Sequence, residues 1–219
     1  MNGDWDFALD REAQWRTPNE VSFDRRIRVP FSPETERSGV GEMGFFRACW
    51  YRRRFQSPRR EDGERVFVHF GAVDHTARVW VNGSAVVRHE GGYTPFSADV
   101  TDLLKGGQEE IVVHAEDDPS DLTKPRGKQD WQREPHSIWY PRCTGIWQTV
   151  WLEVVPATRI GKVRWTANLA RWEIALDVRI EGVERDNLKL AVTLSVGDTV
   201  VVRDSYAPAR RTWPGGPWR

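Results

Sequence analysis

The sequence lacks the features of three familiar protein classes. Only two of its 219 residues are cysteine, Cys49 and Cys143, which are too few for a disulfide framework or a cysteine-based zinc site. No apolar run approaches the about 20 residues that a membrane span needs. The opening segment "MNGDWDFALD" has no basic stretch followed by an apolar one, so we expect no signal peptide. These observations favour a cytoplasmic protein with reduced thiols, a single Cys49–Cys143 bridge being the alternative.

An excess of charge of one sign is also missing. Lys and Arg total 32 and Asp and Glu total 32, so the formal net charge is zero. Nucleic-acid proteins held by electrostatics usually have a basic excess. The five histidines are scattered, and Asp117 and Asp118 have no further ligands at calcium-loop spacing. We therefore predict no nucleic-acid partner, no membrane partner, no metal and no cofactor.

Tryptophan is abundant, with 12 residues in the chain. In the stretch "SIWYPRCTGIWQTVWLEVVP", residues 137–156, four aromatic side chains surround the loop "PRCTG". Indole faces bind the C–H faces of sugars, but aromatic residues also fill the cores of β-sheets. A sugar platform, a nucleic-acid platform and ordinary core packing are the three interpretations. We expect Trp147 and Trp151 to fill the core, and the preceding loop to be the better candidate for contacting sugar.

Nearly all periodic segments alternate with period two, which predicts β-strands. "RVFVHF", residues 65–70, places Val66, Val68 and Phe70 on one face. "TARVWVNGSAVV" turns at Asn82-Gly83, a strong signal for a tight hairpin because both residues tolerate positive φ. Helical periodicity is limited to one possible turn in "SADVTDLLKGG". The pattern predicts an all-β sandwich.

A domain boundary is expected close to Pro156. Residues 1–156 form the first predicted domain and residues 157–219 the second, with three strand-like runs and a hairpin at Gly197-Asp198. The second domain is shorter than the about 100 residues of an immunoglobulin-like sandwich. The chain is therefore expected to be either a fragment or the product of a frameshifted gene, and the change in composition after Tyr206 favours a frameshift.

Several segments in one order resemble a known family. They are "NGDWDFALD", "WYRRRF", "RVFVHFGAVDHTARVWVNGSAVVRHEGGYTPFSADVTDLL", "EDDPSDLTKPRGKQDW" and "WYPRCTGIWQTVWLEVVP". Together they resemble the amino-terminal sugar-binding domain of family 2 glycoside hydrolases, the β-galactosidase and β-glucuronidase group. The resemblance implies a jelly-roll-type, galactose-binding-like β-sandwich, followed by part of an immunoglobulin-like β-sandwich.

The resemblance also implies where catalysis takes place. Family members hydrolyse β-glycosidic bonds with retention, using two glutamates on a barrel that follows these two domains. Retention needs two carboxylates about 5 Å apart, and we predict no catalytic residue in this chain. The segment "WRTPNE", Trp15 to Glu20, has the outline of the family's acid/base motif. However, its polar surroundings offer nothing that would raise the pKa of Glu20 as a general acid needs.

The long segment between the strand "EEIVVHAED" and Gly145 contains the candidate binding residues. Carboxylates and amides beside an indole can bind hydroxyl groups, whereas a solvated or domain-docking loop is the alternative interpretation. The family's best-known sugar contact from this domain is an aspartate six residues before the glycine that matches Gly145, and here that position is Trp139. This difference leaves the choice between galactose-type and glucuronate-type sugars open. The candidate sugar-binding residues are Asp117, Asp118, Arg126, Lys128, Gln129, Trp131, Trp139, Tyr140 and Arg142.

These observations predict the non-catalytic sugar-binding portion of a family 2 glycoside hydrolase. Joined to its barrel, such a portion would take part in the hydrolysis of O-glycosyl bonds in carbohydrate metabolism. A free-standing carbohydrate-binding module is the first alternative, and an interaction domain without sugar binding is the second. The expected partners are a β-glycoside and the catalytic barrel.

Overall fold

The computed structural model describes residues 1–183 and 186–208. The chain divides into two compact units, Met1–Val155 and Pro156–Arg219. The expected change in composition after Tyr206 falls mostly on residues 209–219, which lie outside the described residues. The first unit contains the strands β1 (Gly3–Asp10), β2 (Arg25–Val29), β3 (Ala48–Gln56), β4 (Arg65–Phe70), β5 (Val73–Asp74), β6 (Thr76–Val81), β7 (Ser84–Glu90), β8 (Phe96–Asp99), β9 (Gln108–Glu116), β10 (Gly145–Ile146) and β11 (Val150–Val155).

These strands form two main antiparallel sheets. A six-stranded sheet has the order β2-β1-β3-β9-β6-β7, and a three-stranded sheet has the order β11-β4-β8. The short strands β5 and β10 pair with each other, with Gly145 opposite Asp74. The all-β prediction is confirmed.

The hydrophobic core lies between the two main sheets. Strands β4 and β6 alternate strictly between half-buried and buried residues, as expected for strands with one face against a core. Phe7 and Tyr51 from the larger sheet belong to the same apolar cluster as Val68 and Phe70 from the smaller one. The alternation predicted for residues 65–70 is therefore confirmed.

The predicted hairpin and helical turn are both present. Asn82 has φ 49° and Gly83 has φ 82°, the positive values that a type I′ turn requires, and they join β6 to β7. A 3-10 turn spans Thr101–Leu103. Among the described residues, none of the helical segments is long and apolar enough to cross a membrane.

Tryptophan has more than one role in this unit. Trp5 and Trp50 are completely buried. Trp50 lies on the outer face of the larger sheet, where Trp80 stacks on it at 5.5 Å. Trp151, in contrast, is 38% exposed and stacks on His69 with ring centroids 4.8 Å apart. The prediction that Trp151 fills the core is wrong, because β11 turns its Val150 side to the core and its Trp151 side outward.

The second unit consists of two antiparallel hairpins in its described residues. Strands β12 (Arg159–Asn168) and β13 (Glu173–Glu181) form the first, and β14 (Leu190–Val196) and β15 (Thr199–Tyr206) form the second. The predicted turn at Gly197-Asp198 joins β14 to β15, with Gly197 at φ 55°. The three strand-like runs after Pro156 are confirmed as strands.

Candidate functional site: the loop between β9 and β10

Residues 117–144 connect β9, a central strand of the larger sheet, to β10. The two sides of this loop are joined at a neck where Gln129 and Tyr140 form an isolated parallel bridge. Tyr140 N donates to Lys128 O at 2.9 Å, and Asp130 N donates to Tyr140 O at 2.8 Å. Loops of this length are usually functional or disordered. Here backbone hydrogen bonds hold the loop in a defined shape.

Gln129 fastens the loop to the sandwich. Its side chain is buried, and its Nε2 donates to Asp74 Oδ2 at 2.8 Å. Its Oε1 accepts a hydrogen bond from Cys143 N at 2.8 Å. Both ends of the amide are hydrogen-bonded within the protein, so Gln129 stabilises the loop in addition to its predicted contact with sugar.

Asp74 is the carboxylate that accepts this hydrogen bond from Gln129. It ends β5 and is buried. Burial raises the pKa of Asp74 to about 6, although the hydrogen bond from Gln129 favours the ionised form. Gly92 lies directly against it, since a Cβ at that position would come within 2.3 Å of Asp74 Oδ1. No pattern in the sequence indicated this contact.

A second buried carboxylate lies at the end of the loop. Glu34 Oε2 accepts a hydrogen bond from Thr144 N at 3.2 Å, and no described residue is a partner for Glu34 Oε1. Burial raises the pKa of Glu34 to about 7, although its hydrogen bonds with Thr144 and the charge of Arg142 favour ionisation. The loop therefore contacts the sandwich through two carboxyl groups whose pKa values are raised.

Ion pairs fix the first part of the loop. Arg142 donates to Asp117 Oδ2 at 2.7 Å and to the backbone oxygen of Asp117 at 2.9 Å. Arg47, which precedes β3, pairs with Asp118 at 2.8 Å. The carboxylates of Asp117 and Asp118 are thus already paired with cations of the same domain.

A small polar cleft, open to solvent, lies between these groups. Carboxylates, guanidinium groups and an amide line it, which are groups that can donate to and accept from hydroxyls. The predicted residues Asp117, Asp118, Arg126, Gln129 and Arg142 all lie on its wall. The remaining lining residues are Asp74, Pro119, Asp121, Lys124, Pro125 and Asp130.

An aromatic cluster forms the other part of the loop. Trp131 contacts Trp139 edge to face, with ring centroids 5.3 Å apart and 67° between the planes. It contacts His136 in the same way, at 5.3 Å and 88°. Trp131 is 51% exposed and Tyr140 is 62% exposed, and Lys128 is exposed as well. The structure thus separates the predicted residues into a polar group at the cleft and an aromatic group around Trp131.

The loop contains a residue that the sequence analysis did not select. Asp130 has a completely buried carboxylate that accepts hydrogen bonds from Gln132 N, His136 N and His136 Nδ1. Burial opposes its ionisation, but these hydrogen bonds lower the pKa of Asp130 below the ordinary value. An aspartate between a buried glutamine and an exposed tryptophan has no distinguishing sequence pattern, so only the folded loop identifies it.

Glu20 lies in surroundings that do not suit a general acid. It ends a 3-10 turn, Pro18–Glu20, and is exposed. Its carboxylate accepts hydrogen bonds from Arg16 N at 2.7 Å and Thr17 Oγ1 at 2.9 Å. These hydrogen bonds lower the pKa of Glu20, whereas a general acid needs a raised one. In the described part of the chain, no group of three or more His, Cys, Asp or Glu side chains is arranged to hold a metal ion.

Comparison with known proteins relates this geometry to a family. Residues 44–153 match the model of "Glycosyl hydrolases family 2, sugar binding domain". A β-galactosidase of Thermoanaerobacter pseudethanolicus is 34% identical over 144 residues, which cover 64% of this chain and 19% of the relative. A β-glucuronidase of Rattus norvegicus is 26% identical over an alignment of 233 positions, and the match covers 92% of this chain and 35% of the relative.

Solved structures have the same fold. A β-glucuronidase of Bifidobacterium dentium, complexed with coumarin-3-O-glucuronide, superimposes with a TM-score of 0.74 at 22% identity. The match covers 96% of this chain and 39% of that one. A β-glucuronidase of Lactobacillus rhamnosus has a TM-score of 0.70 at 25% identity, covering 94% of this chain and 36% of that one. The chain thus spans between about a fifth and two fifths of the length of these relatives. The family resemblance is confirmed: the chain belongs to glycoside hydrolase family 2 and carries that family's sugar-binding domain.

Proposed function

We propose that the loop of residues 117–144 contacts a β-glycoside that is hydrolysed by a catalytic barrel in the full-length protein. One observation carries this proposal: within the sugar-binding domain, one loop carries both a hydroxyl-suited cleft and an exposed indole, Trp131, which is next in sequence to the cleft residue Asp130. Sugar sites combine these two features, since polar groups bind hydroxyls and aromatic faces bind C–H faces. The candidate residues remain those predicted from the sequence.

In this proposal the chain binds and positions, and it does not cleave. Retaining hydrolysis requires a nucleophilic and an acid/base carboxylate about 5 Å apart, which the family resemblance assigns to the barrel. The ordered neck, the buried Gln129 and the Arg142–Asp117 pair keep the loop in shape before the sugar arrives. Such preorganisation lowers the entropy lost on binding.

Calorimetric titration of the 219-residue chain tests this function. The probes are methyl β-D-galactopyranoside, methyl β-D-glucuronide and methyl β-D-mannopyranoside. Binding of one of them at millimolar concentration or tighter is expected, and absence of heat with all three would contradict the proposal. A second measurement is hydrolysis of the matching p-nitrophenyl glycosides. The chain alone is expected to give no turnover, and measurable turnover would overturn the assignment of catalysis to the barrel.

The alternatives predict different sugar affinities for the chain with and without the barrel. A free-standing carbohydrate-binding module binds sugar equally well with and without the barrel, whereas a supporting domain binds more tightly when the barrel is joined to it. An interaction domain without sugar binding associates with the barrel but gives no heat with sugar. Titration of the chain and of the full-length protein side by side separates the three.

We also propose a cytoplasmic location. Cys49 and Cys143 are free thiols, and burial raises the pKa of Cys143 to about 12. Free thiols are typical of a reducing compartment. Fractionation of the source cells tests the location, and recovery outside the cytoplasm would contradict it.

A further inference from the structure

Trp131 has an unusual environment for so large an apolar side chain. Half of its surface faces solvent, yet its ring is held between two aromatic neighbours. Trp139 and His136 both contact it edge to face at 5.3 Å. Edge-to-face contacts orient an aromatic ring, so the exposed surface of Trp131 is presented in a fixed direction.

The contacts of Asp130 explain what holds this arrangement. Its Oδ1 accepts from Gln132 N at 2.9 Å, and its Oδ2 accepts from His136 N and His136 Nδ1, each at 2.7 Å. The carboxylate is 1% exposed, and both of its oxygens have partners within the loop. Asp130 therefore acts on the aromatic cluster through its hydrogen bonds to His136.

The backbone adds a second constraint. Asp130 N donates to Tyr140 O, which fixes the start of the aromatic segment to its end, and Trp139 N donates to His136 O at 3.1 Å. Residues 130–140 thus form a loop whose two ends are hydrogen-bonded to each other, with Trp131 near one end and Trp139 near the other. Both indoles are placed by the same set of hydrogen bonds.

We propose that Trp131, held edge to face against Trp139, forms a stacking platform for the C–H face of a pyranose ring, and that Asp130 is the positioning residue that holds this platform through His136. The inference rests on the proposed function of the loop and assigns the ligand class of its aromatic part. An indole that is already oriented loses little conformational entropy when it binds.

The test uses variants of the 219-residue chain and the same three methyl glycosides. Trp131→Ala is expected to weaken binding about tenfold, because it removes the stacking surface. Trp131→Tyr retains a ring and is expected to lose less. Trp172→Ala is the matched control, since Trp172 is 95% exposed in the other unit, and it is expected to bind like the wild type.

Two variants address Asp130 as a positioning residue. Asp130→Asn and His136→Gln are each expected to weaken binding about fivefold, because they break the charge-assisted hydrogen bond at different ends. The exposed Asp62 provides the control Asp62→Asn. Circular dichroism adds a spectroscopic readout. The exciton couplet of the Trp131–Trp139 pair is expected to disappear in Trp131→Ala and to shrink in Asp130→Asn and His136→Gln.

The outcomes separate this inference from the proposed function. If the wild type binds and the variants at positions 130, 131 and 136 bind equally well, the platform is wrong and the proposed function stands. If the variants lose the couplet but keep full affinity, the cluster is structural only and the inference is also wrong. If the wild type binds none of the three glycosides, both fail. Loss of affinity together with loss of the couplet supports the inference.

Discussion

The side-chain amide of Gln129 joins the loop to the carboxylate of Asp74 across 2.8 Å, over a separation of 55 residues. The same amide accepts the hydrogen bond of Cys143 N at 2.8 Å. One buried side chain therefore holds the middle of the loop, its return segment and β5 together. Buried polar groups that lose their partner cost about 1–3 kcal/mol, so this contact lends itself to measurement.

Gln129→Ala is expected to lower the free energy of unfolding by about 2 kcal/mol, because Asp74 Oδ2 and Cys143 N both lose their partner. Hydrogen exchange of the Cys143 amide is expected to accelerate in the same variant. Chemical denaturation and exchange measured by NMR check these results. Gln132→Ala is the matched control, since Gln132 is exposed in the same loop and is expected to change neither quantity. An unchanged Cys143 amide in Gln129→Ala would show that the loop is held by other contacts.

Two tryptophans on outer faces of the two sheets are expected to differ strongly in their contribution to stability. Trp50 is completely buried on the outer side of the larger sheet, among Trp15, Phe23 and Trp80, and Trp50→Ala is expected to cost about 3–5 kcal/mol. Trp151 is partly exposed and stacks on His69. Trp151→Ala is therefore expected to lower the free energy of unfolding by less than about 1.5 kcal/mol. Thermal and chemical unfolding of both variants check the difference. Equal losses would mean that Trp151 is buried in solution.

The strands were predictable because their signals are local. The alternation of Val66, Val68 and Phe70 specifies a strand with one face to the core, and Asn82-Gly83 specifies the turn by its own backbone preference. Trp151 shows the limit of such signals. Its alternation with Val150 was visible, but which face of β11 meets the core depends on the opposite sheet, which local sequence does not contain.

The candidate site was predictable only in part for the same reason. A long irregular segment rich in carboxylates and indoles marked residues 117–142 as a candidate. The hydrogen-bond acceptors that hold the loop come from distant positions, Glu34 for the backbone N–H of Thr144 and Asp74 for the side chain of Gln129, and no period or spacing connects them. Asp130 was missed because its importance lies in three hydrogen bonds made within the folded loop.

The raised pKa of Glu34 predicts a dependence of stability on pH. Its folded value is about 7, against 4.5 ordinarily, so the folded state holds a proton that the unfolded state releases between these values. Stability is therefore expected to fall as the pH rises from 4.5 to about 7, by on the order of 2 kcal/mol between pH 5 and pH 8. Asp74 contributes in the same direction, because its pKa is raised to about 6.

Glu34→Gln isolates the contribution of Glu34. The amide keeps an acceptor for Thr144 N and cannot ionise, so the variant is expected to match the wild type near pH 5 and to be more stable at pH 8. Urea denaturation at a series of pH values measures both curves. Glu36→Gln is the control, since Glu36 lies two residues away and its side chain is exposed, so this variant is expected to leave the curve unchanged. A Glu34→Gln curve parallel to that of the wild type would contradict the assignment.

Gly145 and Tyr51 provide a test of packing where the loop ends. Gly145 has φ 76°, and a Cβ there would lie 2.1 Å from the hydroxyl oxygen of Tyr51. That hydroxyl also accepts the hydrogen bond of Ile146 N at 3.2 Å, so the ring cannot move without losing it. Gly145→Ala is therefore expected to cost about 3 kcal/mol or more, from backbone strain and overpacking together.

Tyr51→Phe removes the obstructing oxygen and leaves Ile146 N without its partner, at an expected cost of about 1–3 kcal/mol. In the double variant the overpacking is partly relieved while the strain at φ 76° stays. The combined loss is thus expected to be smaller than the sum of the single losses by about 1 kcal/mol or more, which a double-mutant cycle measures by chemical denaturation. Strictly additive losses would mean that the alanine methyl group never meets the tyrosine hydroxyl, and that the backbone at Gly145 alone accounts for the need for glycine.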